Sequence, residues 1–370
     1  MSADSRADWT TDWARDQLVA LVEIPSLSGD EHAVADHVVT LAEGLGLPVR
    51  RQEVPGYGPN VLIGAEEPRL MLTAHLDTVA ATGDWDGRAT VEGDLVHGLG
   101  AVDDKASVVA CLLALLLVRE AGVDLAGLPV AVGLTVDEEE DGHGSMALAA
   151  LGPPPHVIAL EGTELEICVA EAGILDCFVE TSGRSHHGSR PELGDNALHH
   201  GFELARELLA LPVLNRAHPD TLDNVAFVQE FKGGSDLYVV PDTARMRVVV
   251  RLGAVGEAAE ATQAIADLCE SRGARFELIE AVDPILAPPG APLVGLLDDA
   301  VRRVRGVEPV HTTMPSWTDA HSFAELGSTT VGFGPGSLRF AHRPDEQVAV
   351  SEIVEGARVL AAVVLRSGEL

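Results

Sequence analysis

Residues 69–79, RLMLTAHLDTV, constrain this chain more than any other stretch. An apolar run suited to a buried strand leads directly into His75, Leu76 and Asp77. Alternation along a strand puts His75 and Asp77 on one side of the backbone. An imidazole emerging where a strand meets a loop is well placed to bind a metal ion. A carboxylate two residues on can accept its other N–H, fixing tautomer and ring orientation. Alone, H-x-D at a strand end is an ordinary polar terminus. Its weight comes from carboxylates, and one late histidine, that follow strands further along.

Those strands are legible. Residues 128–136 form an apolar run ending in DEEED, and residues 157–160 another, ending in Glu161. Between them GLGAVDDKA (98–106) has glycines for a tight, closely approached backbone. It opens an apolar helix at 108–118, which is too short to span a bilayer. Upstream, a helix from Thr10 or Thr11 to Val22 and a second from 28–30 to 44–46 precede strands at 49–54 and 60–64. Strands alternating with helices imply an α/β layer architecture. From Ile174 the rhythm changes to strand 174–182, helix 196–211, strands 224–231 and 243–252, helix 257–271 and strand 275–280. That β-α-β-β-α-β order is ferredoxin-like. Helix 293–305, strand 329–333 and helix 351–365 then resume the first pattern. The expected organisation is one α/β domain, 1–173 with 284–370, interrupted by a smaller α+β domain, 174–283.

Composition narrows the partners. A chain of 370 residues is long for one core and suits two. Lys+Arg 25 against Asp+Glu 58 gives a net charge of −33, which argues against nucleic acid and anionic membrane as partners. Cys111, Cys168, Cys177 and Cys269 form no C-x-x-C pair, so a zinc ribbon or disulfide framework is not expected, and reduced, buried thiols in a cytoplasmic protein are. The N-terminal MSADSRADWTTDW lacks the apolar centre of a signal peptide.

The chemistry gathers at five places: His75, Asp103, the Glu138–Glu139 pair, Glu161 and His342. Carboxylate oxygen and imidazole nitrogen suit zinc, manganese or cobalt. Two divalent ions about 3.5–4 Å apart need a shared ligand, which a bridging carboxylate supplies. Of two adjacent glutamates, one can bind metal while the other acts as general base.

These motifs, in this order, resemble the di-metal aminoacylase and peptidase family of acetylornithine deacetylase, succinyl-diaminopimelate desuccinylase and carboxypeptidase G. The resemblance covers nearly the whole chain and implies a di-zinc aminopeptidase-like catalytic domain with an inserted ferredoxin-like lid and dimerisation domain. It makes His75 a ligand of the first metal with Asp77 orienting it, and Asp103, in GLGAVDDK, the bridging ligand. In TVDEEE it makes Glu138 the base and Glu139 a ligand of the second metal. Glu161, in LEGT, joins His75, with glycine where the family has proline. His342, in GPGSLRFAHRPDE, joins Glu139. In the inserted domain, GRSHHGSRP resembles a lid motif whose histidine falls on His187 rather than His186. GGSDLYVVPD carries Tyr238 where asparagine is usual. Arg251 falls where the family has a carboxylate-binding arginine, and a solvated strand-end arginine is its alternative. Trp317, in SWTDAHSF, is bulkier than usual. His321 is expected as a supporting or surface group. His97, His143, His199 and His200 match nothing and are expected to be exposed.

The resemblance implies a homodimeric enzyme holding two divalent ions, zinc first, with cobalt or manganese as alternatives. It would hydrolyse the amide of a small N-acyl amino acid, acetylornithine above all. Acetyl-lysine, succinyl-diaminopimelate and small dipeptides are the alternatives, and a catalytically dead ligand-binding relative is the reading from a different class.

Overall fold

The computed structural model describes residues 5–81, 85–219, 221–235 and 237–370. Residues 1–4 of the polar N-terminal stretch and Asp236 of GGSDLYVVPD lie outside the described residues. The chain divides into two compact units. One comprises Met1–Val169, Leu286–Thr312 and Thr318–Leu370, the other Ala170–Ile285 with Thr313–Trp317.

In the first unit, strand Leu70–His75 lies between Val130–Thr135 and His156–Ala159, parallel to both, and Thr329–Gly332 continues the parallel run. Every residue of Leu70–His75 and of Val130–Thr135 is buried. Strands covered on both faces read as unbroken apolar runs, which is how the sequence presents them. Asn60–Gly64 and Val49–Gln52 extend the sheet antiparallel on one side, and Ile167–Glu171 meets Thr329–Gly332 on the other. Helix Ala106–Glu120 is apolar nearly all round because it packs against helices Ser5–Val22 and Val350–Val364 as well as the sheet. Leu72, Leu112, Leu113 and Leu360 sit fully buried in the core they share, each burial contributing roughly 1.5–3 kcal/mol. His75, Asp137 and Glu161 thus all emerge at or just past the carboxyl ends of neighbouring parallel strands, the edge at which open α/β sheets bind ligands.

The second unit is a four-stranded antiparallel sheet in the order Val225–Gly233, Thr243–Leu252, Gly173–Ser182, Arg275–Val282. With helices Ala197–Leu208 and Glu257–Ser271 it is ferredoxin-like. Asn196 caps the first helix, its side chain accepting from the Leu198 N–H at 3.0 Å. Thr243–Leu252 alternates outward and buried residues along its length. Its inward Met246, Val248 and Val250 join Leu175, Cys177, Leu204 and Ile265 in a separate core.

The structure departs from the sequence reading in several places. The first helix begins at Ser5. Residues 313–317 group with the inserted unit: the Met314 carbonyl accepts from the Ala172 N–H, and Trp317 shares a cavity with Ile174. His97 is half-buried rather than exposed, because Leu95–His97 is the middle strand between Thr90–Glu92 and Gln347–Ala349. Strands of three residues carry too little alternation to be read. The four cysteines are buried and unpaired, as expected. Among the described residues, no helix is long and apolar enough to cross a membrane.

Candidate metal centre and active site

His75 ends its strand and is 1% exposed. Its Nδ1 lies 3.1 Å from the main-chain oxygen of Asp77 and 3.4 Å from that residue's Oδ1. The closer orienting contact is therefore the carbonyl, where the sequence suggested the carboxylate. The Asp77 carboxylate instead accepts from the backbone N–H groups of Glu138 and Glu139, at 3.1 Å each, and from Ser28 Oγ at 2.8 Å. Burial opposes ionisation of Asp77, but hydrogen bonding from His75 and these donors keeps its pKa below the usual carboxylate value. Asp77 thus fixes the backbone of the two glutamates as well as the imidazole.

Asp103 is held from the opposite end of the chain. Glu346, 2% exposed, accepts from the N–H groups of Gly100, Val102 and Asp103 at 3.0, 2.9 and 3.2 Å. Burial pushes the Glu346 carboxyl up to about 7. Gly100 has φ +76°, and a Cβ there would lie 2.5 Å from Thr78 Cγ2, so only glycine allows this loop. Asp104 accepts from the His75 N–H at 3.2 Å. Sequence reasoning missed both Glu346 and Asp104. The second acid of DDK and the closing acid of RPDE were the available signals.

Asp103 Oδ1 lies 3.0 Å from His75 Nε2, and its Oδ2 lies 3.2 Å from His342 Nε2. The same His342 nitrogen is 2.9 Å from Glu139 Oε2, and hydrogen bonds to Asp103 and Glu139 raise the ring's pKa to about 10. Two sets of donors result: His75, Asp103 and Glu161, and Asp103, Glu139 and His342. Within each set the ligating atoms lie within 4.8 Å of one another, and Asp103 belongs to both. Burial pushes the Glu161 carboxyl well above the usual range, and the Asp104 and Asp103 carboxylates push it further. Cations relieve that crowding of buried acids. The residues fit two divalent ions with a shared carboxylate.

Glu138 belongs to neither set. It lies half-buried beside them, its Oε2 4.0 Å from His75 Nε2. Burial raises its pKa well above the usual value, His75 opposing and Asp319, Glu139 and Asp103 reinforcing the shift. His321 is 5% exposed, which removes the surface option for it. His143 is exposed but not idle: its Nδ1 lies 2.6 Å from Asp137 Oδ2, and its ring stacks on Tyr57. His199 and His200 are exposed as expected.

The remaining candidates lie in the second unit. His187 is exposed, on the two-residue strand His186–His187, with Nδ1 2.8 Å from Ser189 Oγ. The Tyr238 ring meets it edge-on at 5.6 Å. Arg251 donates to the Asp223 carbonyl at 3.1 Å and lines the same cavity as Trp317.

A buried donor set sharing Asp103 with a second, more open one, at the carboxyl edge of a parallel sheet and with a further glutamate beside them, defines a metal-dependent hydrolase of amide bonds. The chain belongs to peptidase family M20/M25/M40, whose profile matches residues 71–366. It is 28% identical over 348 residues to a peptidase M20 domain-containing protein of Schizosaccharomyces pombe, covering 91% of this chain and 80% of that one. It is 28% identical over 364 residues to a succinyl-diaminopimelate desuccinylase of Corynebacterium glutamicum, covering 92% and 93%. Its fold matches the crystal structure of a tripeptidase from Staphylococcus aureus with a TM-score of 0.82 at 20% identity, over 97% of this chain and 99% of that one.

Proposed function

We propose that the protein removes the acyl group from a small N-acyl amino acid, in the manner of acetylornithine deacetylase. A succinyl group is the alternative, suggested by the name of the Corynebacterium relative. The observation that carries this reading is the pair of donor sets sharing Asp103, with Glu138 outside both. His75, Asp103 and Glu161 would hold one ion, and Asp103, Glu139 and His342 the other. Zinc is the first choice for such mixed imidazole and carboxylate ligands, with cobalt and manganese next. Ions bound there supply Lewis acidity, acidifying water and polarising the amide carbonyl.

The chain's own groups do the rest. Glu138, held by its backbone N–H on Asp77, accepts the proton of the attacking water at its carboxylate and delivers it to the leaving nitrogen. In the inserted unit, read as the lid and the surface joining two subunits, His187 donates to the developing oxyanion of the partner's site. It is exposed to solvent, with Nδ1 turned to Ser189. Arg251 pairs with the substrate carboxylate, and Tyr238 and Trp317 flank the substrate.

Glu138→Gln tests the reading. The variant should keep both ions and lose turnover on the order of 10²–10⁴-fold, the usual contribution of a general base. Near-normal kcat, or loss of metal measured by elemental analysis, would show that Glu138 and Glu139 have been assigned to each other's roles.

A further inference from the structure

The first unit holds a cavity of about 150 Å³, and none of the residues lining it belongs to either donor set. Ile24, Leu27, Trp85 and Leu99 give it apolar walls, and Ser26 and Lys105 set two polar groups among them. Backbone bonds hold the surrounding segments. The Thr78 N–H donates to the Ser26 carbonyl at 2.8 Å, and the Lys105 N–H to the Gly100 carbonyl at 3.0 Å.

Both polar groups have hydrogen bonds to spare. Ser26 is 1% exposed, and its Oγ is buried with no partner. Lys105 is also 1% exposed. An ammonium carries three N–H donors. Lys105 places one on the Ile24 carbonyl at 2.9 Å, its one side-chain hydrogen bond among the described residues. Asp77 and Glu346 act on its charge through space, and neither forms an ion pair with it. Buried donors left without acceptors are unfavourable, an ammonium above all. A ligand that accepts from both groups relieves them together.

The donors and the walls together describe that ligand. Unmet O–H and N–H groups at a cation call for an anionic acceptor, and a carboxylate has two oxygens to offer. A phosphate would bring further charge against apolar walls with nothing to pair it. An ammonium on the ligand would meet the like charge of Lys105 in the same apolar surroundings. The rest of the molecule must be compact and apolar, since a dry cavity of about 150 Å³ accommodates benzene.

We propose that this cavity is a second small-molecule site, distinct from the metal centre, which binds monocarboxylates with a branched aliphatic or aromatic body through Lys105 and Ser26. The proposal stands apart from the amidohydrolase reading and uses none of its residues.

Calorimetric titration of the metal-loaded protein with isovalerate, benzoate, acetate, isovaleramide and benzamide tests it. Isovalerate and benzoate should bind about tenfold or more tighter than acetate, which can equally reach a metal ion but has no body to meet the walls. They should exceed their own amides by about tenfold, the weight of a hydrogen bond to a charged group. Ser26→Ala should weaken both acids by about tenfold and leave turnover unchanged. Leu99→Trp, which fills the cavity, should abolish their binding, and Leu27→Trp takes its place if that variant does not fold. Acids that bind the filled variant as they bind the wild type are sitting on the metal ions. Amides that bind as well as the acids leave Lys105 without the role given to it. Either result overturns the site, as does the absence of binding, and the catalytic reading stands in every case.

Discussion

His75 and His187 are both imidazoles proposed for one reaction, yet one is 1% exposed and the other open to solvent. The difference runs through their two units. In the first, His75 and Glu161 follow the ends of buried strands, and the loops of Asp103 and Glu139 are gripped by Glu346 and Asp77, which together accept from five backbone N–H groups, while His342 is exposed. Such supporting shells hold a metal site in place before anything binds. In the inserted unit His187 and Arg251 sit on strands, and Tyr238, just before its two-residue strand, is 71% exposed. The lesson is that the donor loops are pinned by buried carboxylates, whereas the inserted unit's candidate histidine and tyrosine are left open to solvent.

That contrast can be broken at three points, taken from the strongest effect down. Asp103→Asn removes the one carboxylate common to both donor sets, so the variant should lose both ions and fall to background activity. Retention of one tightly bound ion with substantial turnover would mean that the two sets are independent. His187→Ala should cost on the order of 10²–10³-fold in kcat, the usual effect of losing an oxyanion donor, with metal content intact. His186→Ala should do far less. Mixing His187→Ala with Glu138→Gln subunits should restore activity, because one of the two sites in the mixed dimer is complete. Absence of recovery despite demonstrated subunit exchange, or a strictly monomeric active enzyme, would return His187 to its own unit. Glu346→Gln is the mildest. It turns one acceptor of the cradle into a donor facing backbone N–H groups, and should weaken metal affinity by about 10–100-fold, as loss of a supporting partner does. Competition with a chelator measures it. Unchanged affinity would make the cradle a structural detail.

Much of this was legible beforehand because strand ends are legible. The runs before His75, Glu138 and Glu161 are mostly apolar, and the ferredoxin-like unit follows from lengths and alternation. Asn196 caps its helix where the sequence put the boundary. What stayed hidden came from distance along the chain. Glu346 meets Gly100 across 246 positions through backbone N–H groups, which have no sequence signature. Residues 313–317 belong with the inserted unit although the chain has by then returned to the first. His97 took its burial from a strand contributed by Gln347–Ala349. In each case the partner, not the residue, decided the outcome.

The two donor sets also differ in when a growing chain can complete them. His75, Asp103 and Glu161 are all made before the inserted unit begins, whereas Glu139 waits across 203 positions for His342, until that unit has been synthesised. Domains generally fold as they are made, the N-terminal part first. Yet the shared ligand keeps even the first set waiting: Glu346, which grips the Asp103 loop, is made after the inserted unit, so neither set is finished until nearly the whole chain exists.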